Sequence, residues 1–510
     1  HRALPCWQAQ NAMGAALVGR CPECLSRYGD EPAAGTGSSP RAGEGAVTRA
    51  ALGQHLVIAN NSGRHPGERY DVARQPTGVG GFGTVKLATD RRSGEVCALK
   101  TVRKGAIGVD ALCNEVEISL IMDHPNIVRL FDVYEDRYYA YLALEICHGG
   151  ELLDLIIAAE RFGEGDAAIV MSQLLRAVNY MHALGIAHRD LKLENLLLKD
   201  KGLPIQQNTL KLIDFGLSER FTPGTISLKG IVGSCSYIAP EVLTGKAYSE
   251  ACDLWSCGVI LYMLVGGVPP FSGQDQEAIL KSVKSHALWF DPIIWEPVSA
   301  EAQALIKNLC QRNVQRRLPA MQALSDPWLT QPRPTTSAQP EEGSRIPKVY
   351  FEKLRAFSSL DRFKRSAVRL IAHRLDDSYI QELTRVFQEL DENQDGTLSL
   401  QEVTEGFKKT GSADMAAHMA EIFESVDTNH NDRVDYTEFI AATVEQSLYH
   451  KEELCWEAFR VFDTDCDGVI SVEELGAALR MKDSPVAELG GQIDEILAQV
   501  DANGDGQVDF

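Results

Sequence analysis

At 510 residues the chain has room for two or three domains, each with its own core. A hydrophobic fraction of 44% and a charged fraction of 24% are ordinary for a globular protein and exclude a wholly disordered or fibrous chain. The net charge of −21 is lopsided. Residues 376–510 carry 32 acidic and 8 basic side chains while the first 375 come to +3, which argues against nucleic-acid binding by the acidic part and for cations or basic peptides.

The sequence begins with His1 rather than Met, so an earlier natural start is expected. Residues 1–68 are rich in Gly, Ala, Ser and Pro with little periodicity and predict a mostly disordered leader. Within it, "MGAALV" from Met13 begins like a myristoylation signal, although Val18 stands where Ser or Thr is preferred. Cys21 and Cys24 form a CxxC pair with no partner cluster at zinc spacing, and read as unpaired thiols open to acylation if translation starts at Met13. Others of the twelve cysteines (Cys97, Cys147, Cys257) sit in apolar stretches, which suggests reduced thiols and a cytoplasmic protein with reversible membrane association at most. The longest apolar run, "CGVILYMLVGGVPPF" from Cys257, is too short to span a bilayer and is broken by Gly and Pro.

Residues 69–330 alternate between strand-like and helix-like periodicity. "GVGGFGTV" places Gly78, Val79, Gly80, Gly81, Phe82, Gly83 and Val85 in a G-x-G-x-x-G-x-V pattern, whose glycines let a turn between strands lie close over phosphate oxygens. "CALK" follows with Ala98 and Lys100. A helix over "LCNEVEISLIMDHPNIVRL" then offers Glu115 as partner to Lys100; Glu117 competes, but helix phase and the ten residues to Pro125 favour Glu115. "HRDLKLEN" (188–195), "DFG" (214–216) and "APE" (239–241) come next, in that order.

Five such motifs in sequence resemble the protein kinase fold. That resemblance implies ATP and magnesium as cofactors, with Asp190 accepting the proton of a substrate hydroxyl, Lys192 steadying the γ-phosphate, and Asn195 and Asp214 holding Mg2+. It places Leu144 behind the adenine, just before Glu145 of the hinge, and it sets Glu151 and Glu194 at the cleft where related kinases greet basic residues upstream of the phosphosite. It also implies that Arg317 pairs with Glu241 and that Asp253 braces the catalytic loop. Lys192 and "GSCSY" resemble serine/threonine rather than tyrosine kinases. Gly230 stands three residues before Gly233, where many kinases carry a phosphorylatable residue, so Arg189 lacks its usual phosphate partner, although Ser227 is near. The main switch is therefore expected elsewhere.

A Pro-containing linker (331–347) leads to a basic amphipathic stretch, together expected as linker and autoinhibitory junction over 331–375. In that stretch Phe351, Leu354, Phe357, Leu360 and Phe363 recur every three residues, with Leu370 and Ile371 extending the pattern. Lys353, Arg355, Arg362, Lys364, Arg365 and Arg369 surround them. The pattern predicts one basic amphipathic helix of the kind calmodulin captures.

Residues 376–510 repeat: acidic loops begin at Asp391, Asp427, Asp463 and Asp501. Each matches the twelve-residue EF-hand loop, with calcium ligands at positions 1, 3, 5, 7, 9 and 12. The first loop offers Asp391, Asn393, Asp395, the Thr397 carbonyl, Ser399 and Glu402. The second offers Asp427, Asn429, Asn431, the Arg433 carbonyl, Asp435 and Glu438, but carries Asp432 where glycine makes the sharp turn, so weaker binding is expected. The third offers Asp463, Asp465, Asp467, the Val469 carbonyl, Ser471 and Glu474. The fourth offers Asp501, Asn503, Asp505, the Gln507 carbonyl and Asp509, and the sequence ends before position 12; the natural chain is expected to run on and complete the site. Leu398, Val434, Ile470 and Val508 at position 8 predict the short strands that pair loops.

Kinase domain, basic junction and four calcium loops together resemble the calcium-dependent protein kinases of plants and protists. The expectation is a multidomain α+β chain: a bilobal kinase with an antiparallel N-lobe sheet plus helix and a helical C-lobe, then an all-α EF-hand domain. The implied activity is ATP-dependent phosphorylation of protein Ser/Thr by a monomer whose autoinhibition calcium relieves as the EF-hands capture the junction helix. The alternative is a calcium-binding adaptor on an inactive kinase-fold scaffold, which predicts partner capture without ATP turnover.

Overall fold

A computed structural model describes residues 61–62, 64–80, 83–331, 347–360, 362–375, 377–408, 418–445, 451–463, 467–479, 501 and 505–510. Met13, Val18, Cys21 and Cys24 of the leader lie outside them.

The N-lobe is a mainly antiparallel seven-stranded sheet. Its strands are β1 (Asn61–Ser62), β2 (Tyr70–Val72), β3 (Gly78–Gly80), β4 (Gly83–Asp90), β5 (Val96–Arg103), β6 (Leu130–Glu135) and β7 (Tyr139–Leu144), with helix α1 (Val109–Ile121) between β5 and β6. Strand β1 pairs in parallel with β6, so the expected leader boundary at 68 falls inside the folded lobe. Pairing of β4, β5 and β7 puts Val85 opposite Lys100 and Ala98 opposite Leu144, hence all four on one face. The opposite-facing Cys97 and Leu99 are buried.

The C-lobe is built around two long helices, α2 (Glu164–Ala183) and α3 (Ala251–Gly266), which pack together. Helix α3 is apolar nearly all round and buried along almost its whole length, as a core helix must be. Between these helices the chain makes short strands: β8 (Ile186–Ala187), β9 (Leu196–Leu198), β10 (Leu210–Leu212) and β11 (Glu219–Arg220). The pairs β9–β10 and β8–β11 hold the catalytic and DFG segments side by side.

The junction is two helices, not one: α4 (Lys348–Ser358) and α5 (Arg362–Arg374). The hydroxyls of Ser358 and Ser359 donate back to the carbonyls of Arg355 and Ala356, local bonds that compete with continuation of the helix. The EF-hand module follows as α6 (Asp377–Leu390), α7 (Leu400–Lys408), α8 (Met419–Val426), α9 (Tyr436–Thr443), α10 (Glu452–Phe462) and α11 (Val472–Leu479). Leu398 and Val434 form a bridge with N–O distances of 2.9 and 2.8 Å, and Val469–Ile470 pairs with Val508–Asp509, so the position-8 residues join the loops as expected.

One apolar core unites junction and module. Phe351, Leu354, Phe357, Leu370 and Ile371 are buried with Phe387, Phe407, Phe423, Phe439 and Phe462. The module and the end of the junction in turn lie against the kinase. Arg374 donates to the Phe131 carbonyl (2.7 Å) and pairs with Asp132 (3.2 Å), while Arg69 pairs with Asp132 (2.7 Å) and Glu457 (2.6 Å). Thr437 donates its N–H and hydroxyl to Asp123, and Asn179 donates to the Gln394 carbonyl (2.8 Å).

Candidate active site and calcium loops

Lys100 reaches from β5 to Glu115 on α1 at 2.6 Å and to Asp214 at 2.9 Å. Glu115, not Glu117, is therefore the helix partner. Lys100 beside it holds the Asp214 carboxyl well below the usual carboxylate range, so Asp214 is ionised at any working pH. Asp190 accepts from Lys192 at 2.8 Å and from the Ser234 hydroxyl at 2.8 Å, which orients its carboxylate on both sides. The Asn195 amide donates to the Asp190 carbonyl at 2.9 Å, leaving its own oxygen for a hard cation. Asn195 and Asp214 thus fit Mg2+, and the face carrying Val85, Ala98, Lys100 and Leu144 fits a nucleotide under the hairpin of Gly78, Val79, Gly80 and Gly83. A Cβ on Gly83 would lie 1.7 Å from the Thr101 carbonyl, so that position admits only glycine. Gly81 and Phe82, at the tip, lie outside the described residues.

The supports are as expected. Asp253, fully buried, accepts from the N–H groups of His188 and Arg189 at 2.8 Å each. Arg317 grips Glu241 through two N–H groups. Arg189 and Asp214 both hold positive φ, near 66° and 68°, a conformation ordinary residues keep only where surrounding bonds over-determine it.

Two placements differ from sequence reasoning. The Glu145 carboxylate is turned away from the nucleotide face and is buried among Arg129, Lys199 and Lys211, so only its main chain can face an adenine. Those three cations hold it ionised against burial. Arg189 has a carboxylate partner that the motifs did not reveal, Glu219 at 3.2 Å, and also donates to the Leu217 and Lys229 carbonyls and to the Tyr248 hydroxyl. Ser227 is exposed and bonds Thr225 instead. The signal for Glu219 was its place on a strand paired to the one before "HRD", visible only once β8 and β11 are known to pair. Glu151 and Glu194 lie close enough to raise the Glu151 carboxyl, after burial and Asp154, and burial raises Glu194 as well.

In the first calcium loop the backbone curls round Asp391, which accepts from the N–H groups of Asp395 (3.1 Å) and Gly396 (3.0 Å). Burial, with Asp395 and Glu402 adding like charge, pushes the Asp391 carboxyl up to about 7, the signature of hard oxygens gathered without a counter-charge. Asn393, Thr397 and Ser399 complete the oxygen set, which fits Ca2+. The third loop repeats the curl, Asp463 accepting from Asp467 and Gly468 at 3.1 Å each. Asp465 lies outside the described residues. In the fourth, Asp501 accepts from Gly506 at 2.8 Å and Asp505 from Gln507 at 2.9 Å, while Asp509 sits in the pairing strand; Asn503 lies outside the described residues. Glu402 and Glu474 are held by loop N–H groups, such as those of Ser399 and Ser471 at 2.9 Å each, and no three His, Cys, Asp or Glu side chains meet at one point among the described residues.

The second loop keeps the shape with Asp432 at φ 61°, against 78° for Gly396, so aspartate does adopt the glycine conformation. Its donor set is less open. Asn429 and Asn431 turn their amides to Asp435 (2.7 and 3.4 Å), Glu438 is engaged by Thr428 and Arg369, and the Arg433 side chain reaches Asp395 of the first loop.

A phosphate hairpin, an ordered lysine–glutamate pair and a braced catalytic aspartate, followed by paired calcium loops, define a protein kinase with its own calcium-binding module. Residues 72–329 match the protein kinase domain family, and residues 380–444 and 451–510 match the EF-hand domain pair family. The chain is 35% identical to calcium-dependent protein kinase 5 of Plasmodium falciparum over 91% of its own length and 80% of that protein. It is likewise 35% identical to calcium-dependent protein kinase 17 of Arabidopsis thaliana, over 86% and 82% of the two chains. The chain belongs to the calcium-dependent protein kinase family. It is a serine/threonine protein kinase that uses ATP and Mg2+ and binds Ca2+.

Proposed function

We propose that calcium activates this kinase by making its EF-hand module grip the junction helices, which keeps them off the catalytic cleft. One observation carries the reading: α4 and α5 are buried in the module's apolar core, while Lys100, Glu115, Asp190 and Asp214 are already in working contact. The kinase-facing contacts of α5 run from the His373 carbonyl to Arg129 and from Arg374 to Phe131 and Asp132, rather than to those catalytic residues. Calcium can drive this only by binding the gripped arrangement more tightly than the released one.

In the cleft, Asp190 orients the substrate hydroxyl and takes its proton, Lys192 balances the developing charge, and Lys100 and the hairpin N–H groups position the phosphates. ATP supplies the phosphoryl group when bound, and Mg2+ screens its charge. Glu151 and Glu194 support a preference for basic residues upstream of the acceptor Ser or Thr. Free thiols support a cytoplasmic location, with acylation near Met13 as the chain's route to a membrane; fractionation of a Met13-initiated chain with and without Gly14→Ala tests this. Among the described residues no helix is long and apolar enough to cross a membrane.

The direct test is peptide phosphorylation titrated with calcium. Activity should rise with calcium, vanish with chelator, and lose its calcium response when Glu402→Gln and Glu474→Gln are combined. Removing residues from Arg345 onward should give calcium-independent activity. Equal rates with chelator and with calcium in the full chain would sink the reading.

A further inference from the structure

The junction helix does more than fill an apolar groove, because it also reaches the second calcium loop. Helix α5 runs along α9, and its Arg369 guanidinium lies 3.4 Å from Glu438 Oε1 and 3.1 Å from the Thr428 hydroxyl. Glu438 is position 12 of the loop, the residue that supplies the bidentate carboxylate to calcium, and its side chain is fully buried. One turn earlier on the same helix face, Arg365 donates to the Ser425 carbonyl at 2.6 Å, fixing the helix in register with the loop.

The rest of the loop is arranged to suit a cation already in place. Asn429 and Asn431 direct N–H groups at Asp435, where a calcium loop would present oxygens. Glu438 Oε2 accepts the Asp435 N–H at 3.0 Å and Oε1 the Thr428 N–H at 3.0 Å. Asp123 of the kinase adds further negative charge beside Asp435, through its bonds to Thr437. Asp427 thus adds negative charge near Glu438, and Asp123 near Asp435, so a cation held at Glu438 offsets like charge on this side of the loop. Arg433 faces the first loop instead, toward Asp395. At loop one Glu402 is held instead by the Asn393 N–H and the Ser399 N–H and hydroxyl, with no junction cation paired to it among the described residues.

We propose that Arg369 is the resident cation of the second EF-hand loop, so that calcium in that loop and retention of the junction helix oppose one another. A guanidinium and a Ca2+ ion both drawn to the buried Glu438 carboxylate repel each other at short range in a site of low dielectric. Coupling of this kind is reciprocal: whatever factor Arg369 takes from calcium affinity at loop two, calcium there takes from the grip on α5. Loops one and three then drive capture, while loop two acts as a structural anchor that works without calcium. This rests on the reading of the loops as calcium sites that grip the junction.

Calorimetric titration of the full chain with calcium alone tests it, comparing the wild type with Arg369→Ala and Arg369→Lys. Arg369→Ala should tighten binding at the second loop by about tenfold, or add one resolved site, while Arg369→Lys stays near the wild type. Adding Glu438→Gln to Arg369→Ala should erase the gain, and calcium should protect residues 362–374 from hydrogen exchange more strongly in Arg369→Ala than in the wild type. Unchanged or weakened second-loop affinity in Arg369→Ala, or a gain that survives Glu438→Gln, overturns the inference while leaving the function intact. Absence of calcium binding at loops one and three overturns both. Circular dichroism of each variant separates a lost site from a lost fold.

Discussion

The catalytic cleft and the calcium loops are both built from carboxylates, yet they treat charge in opposite ways. In the cleft each acid has found a base: Glu115 and Asp214 share Lys100, Asp190 has Lys192, and Asp214 is driven well below the usual carboxylate range. In the first calcium loop the acids crowd one another, and burial with like charge lifts Asp391 to about 7. A paired site is complete as folded and needs only substrate. A site of crowded acids stores a demand for a cation, so its geometry responds to one. The same residue type thus makes a catalyst in one region and a sensor in the other, according to whether a lysine or arginine lies within reach.

Four measurements can break or sharpen that contrast. Asp190→Asn removes the proton acceptor from an otherwise intact cleft and should lower kcat by about a thousandfold with little change in calcium binding. A silent substitution would make the kinase fold a scaffold. Arg374→Ala strips Asp132 and Glu457 of a buried partner and should loosen the docking of module on kinase by about 3 kcal/mol. The measurement is hydrogen exchange at residues 129–133 and 369–375, and unaltered protection would mean that apolar packing alone joins the two regions.

The third concerns pH. His124 and His373 are buried near the junction of kinase and module, and burial, with nearby arginines, pushes both rings down to about 3. Their folded-state values lie below the unfolded value near 6.5, so the unfolded chain binds more protons between about pH 3 and 6.5. Stability from keeping them neutral is fully present above about 6.5 and is lost as pH falls through that window. The raised Asp391 and Asp435 act with the opposite sign, since protonation favours the calcium-free fold below about 7. With calcium saturating, those acids stay ionised and the histidines dominate. The melting temperature of calcium-loaded protein should therefore fall from pH 7 to pH 5, and a flat profile would contradict the buried neutral rings. The smallest effect expected is for Glu219→Ala, whose partner Arg189 keeps two backbone acceptors: kcat should drop about two- to fivefold, with Glu219→Asp largely restoring it.

Much of this was legible in the residues. "HRDLKLEN" and "DFG" are contiguous strings whose local backbone places Asp190, Asn195 and Asp214 together once two short strand pairs form. The period of three in Phe351, Leu354 and Phe357 announced a buried face, and Leu398 and Val434 announced the strand that joins two loops. What could not be read were partners chosen across long sequence separation. Glu145 looked like a cleft residue by position, but Lys199, just past β9, and Lys211, on β10, arrive behind it with no local pattern to signal them. The break near Ser358 and Ser359 was likewise hidden, because the apolar spacing runs on across it.

By itself, then, the sequence determined the chemistry available: a phosphate hairpin, a catalytic acid, two magnesium ligands and four oxygen-rich loops in register. Those depend on residues a few positions apart, where backbone geometry fixes what can meet. Only the tertiary structure decided which charges cancel, with Glu219 set against Arg189, Arg374 against Asp132 and Arg369 against Glu438. Electrostatic energy depends on distance through space, and in a folded chain that distance is set by packing between domains rather than by position along the sequence.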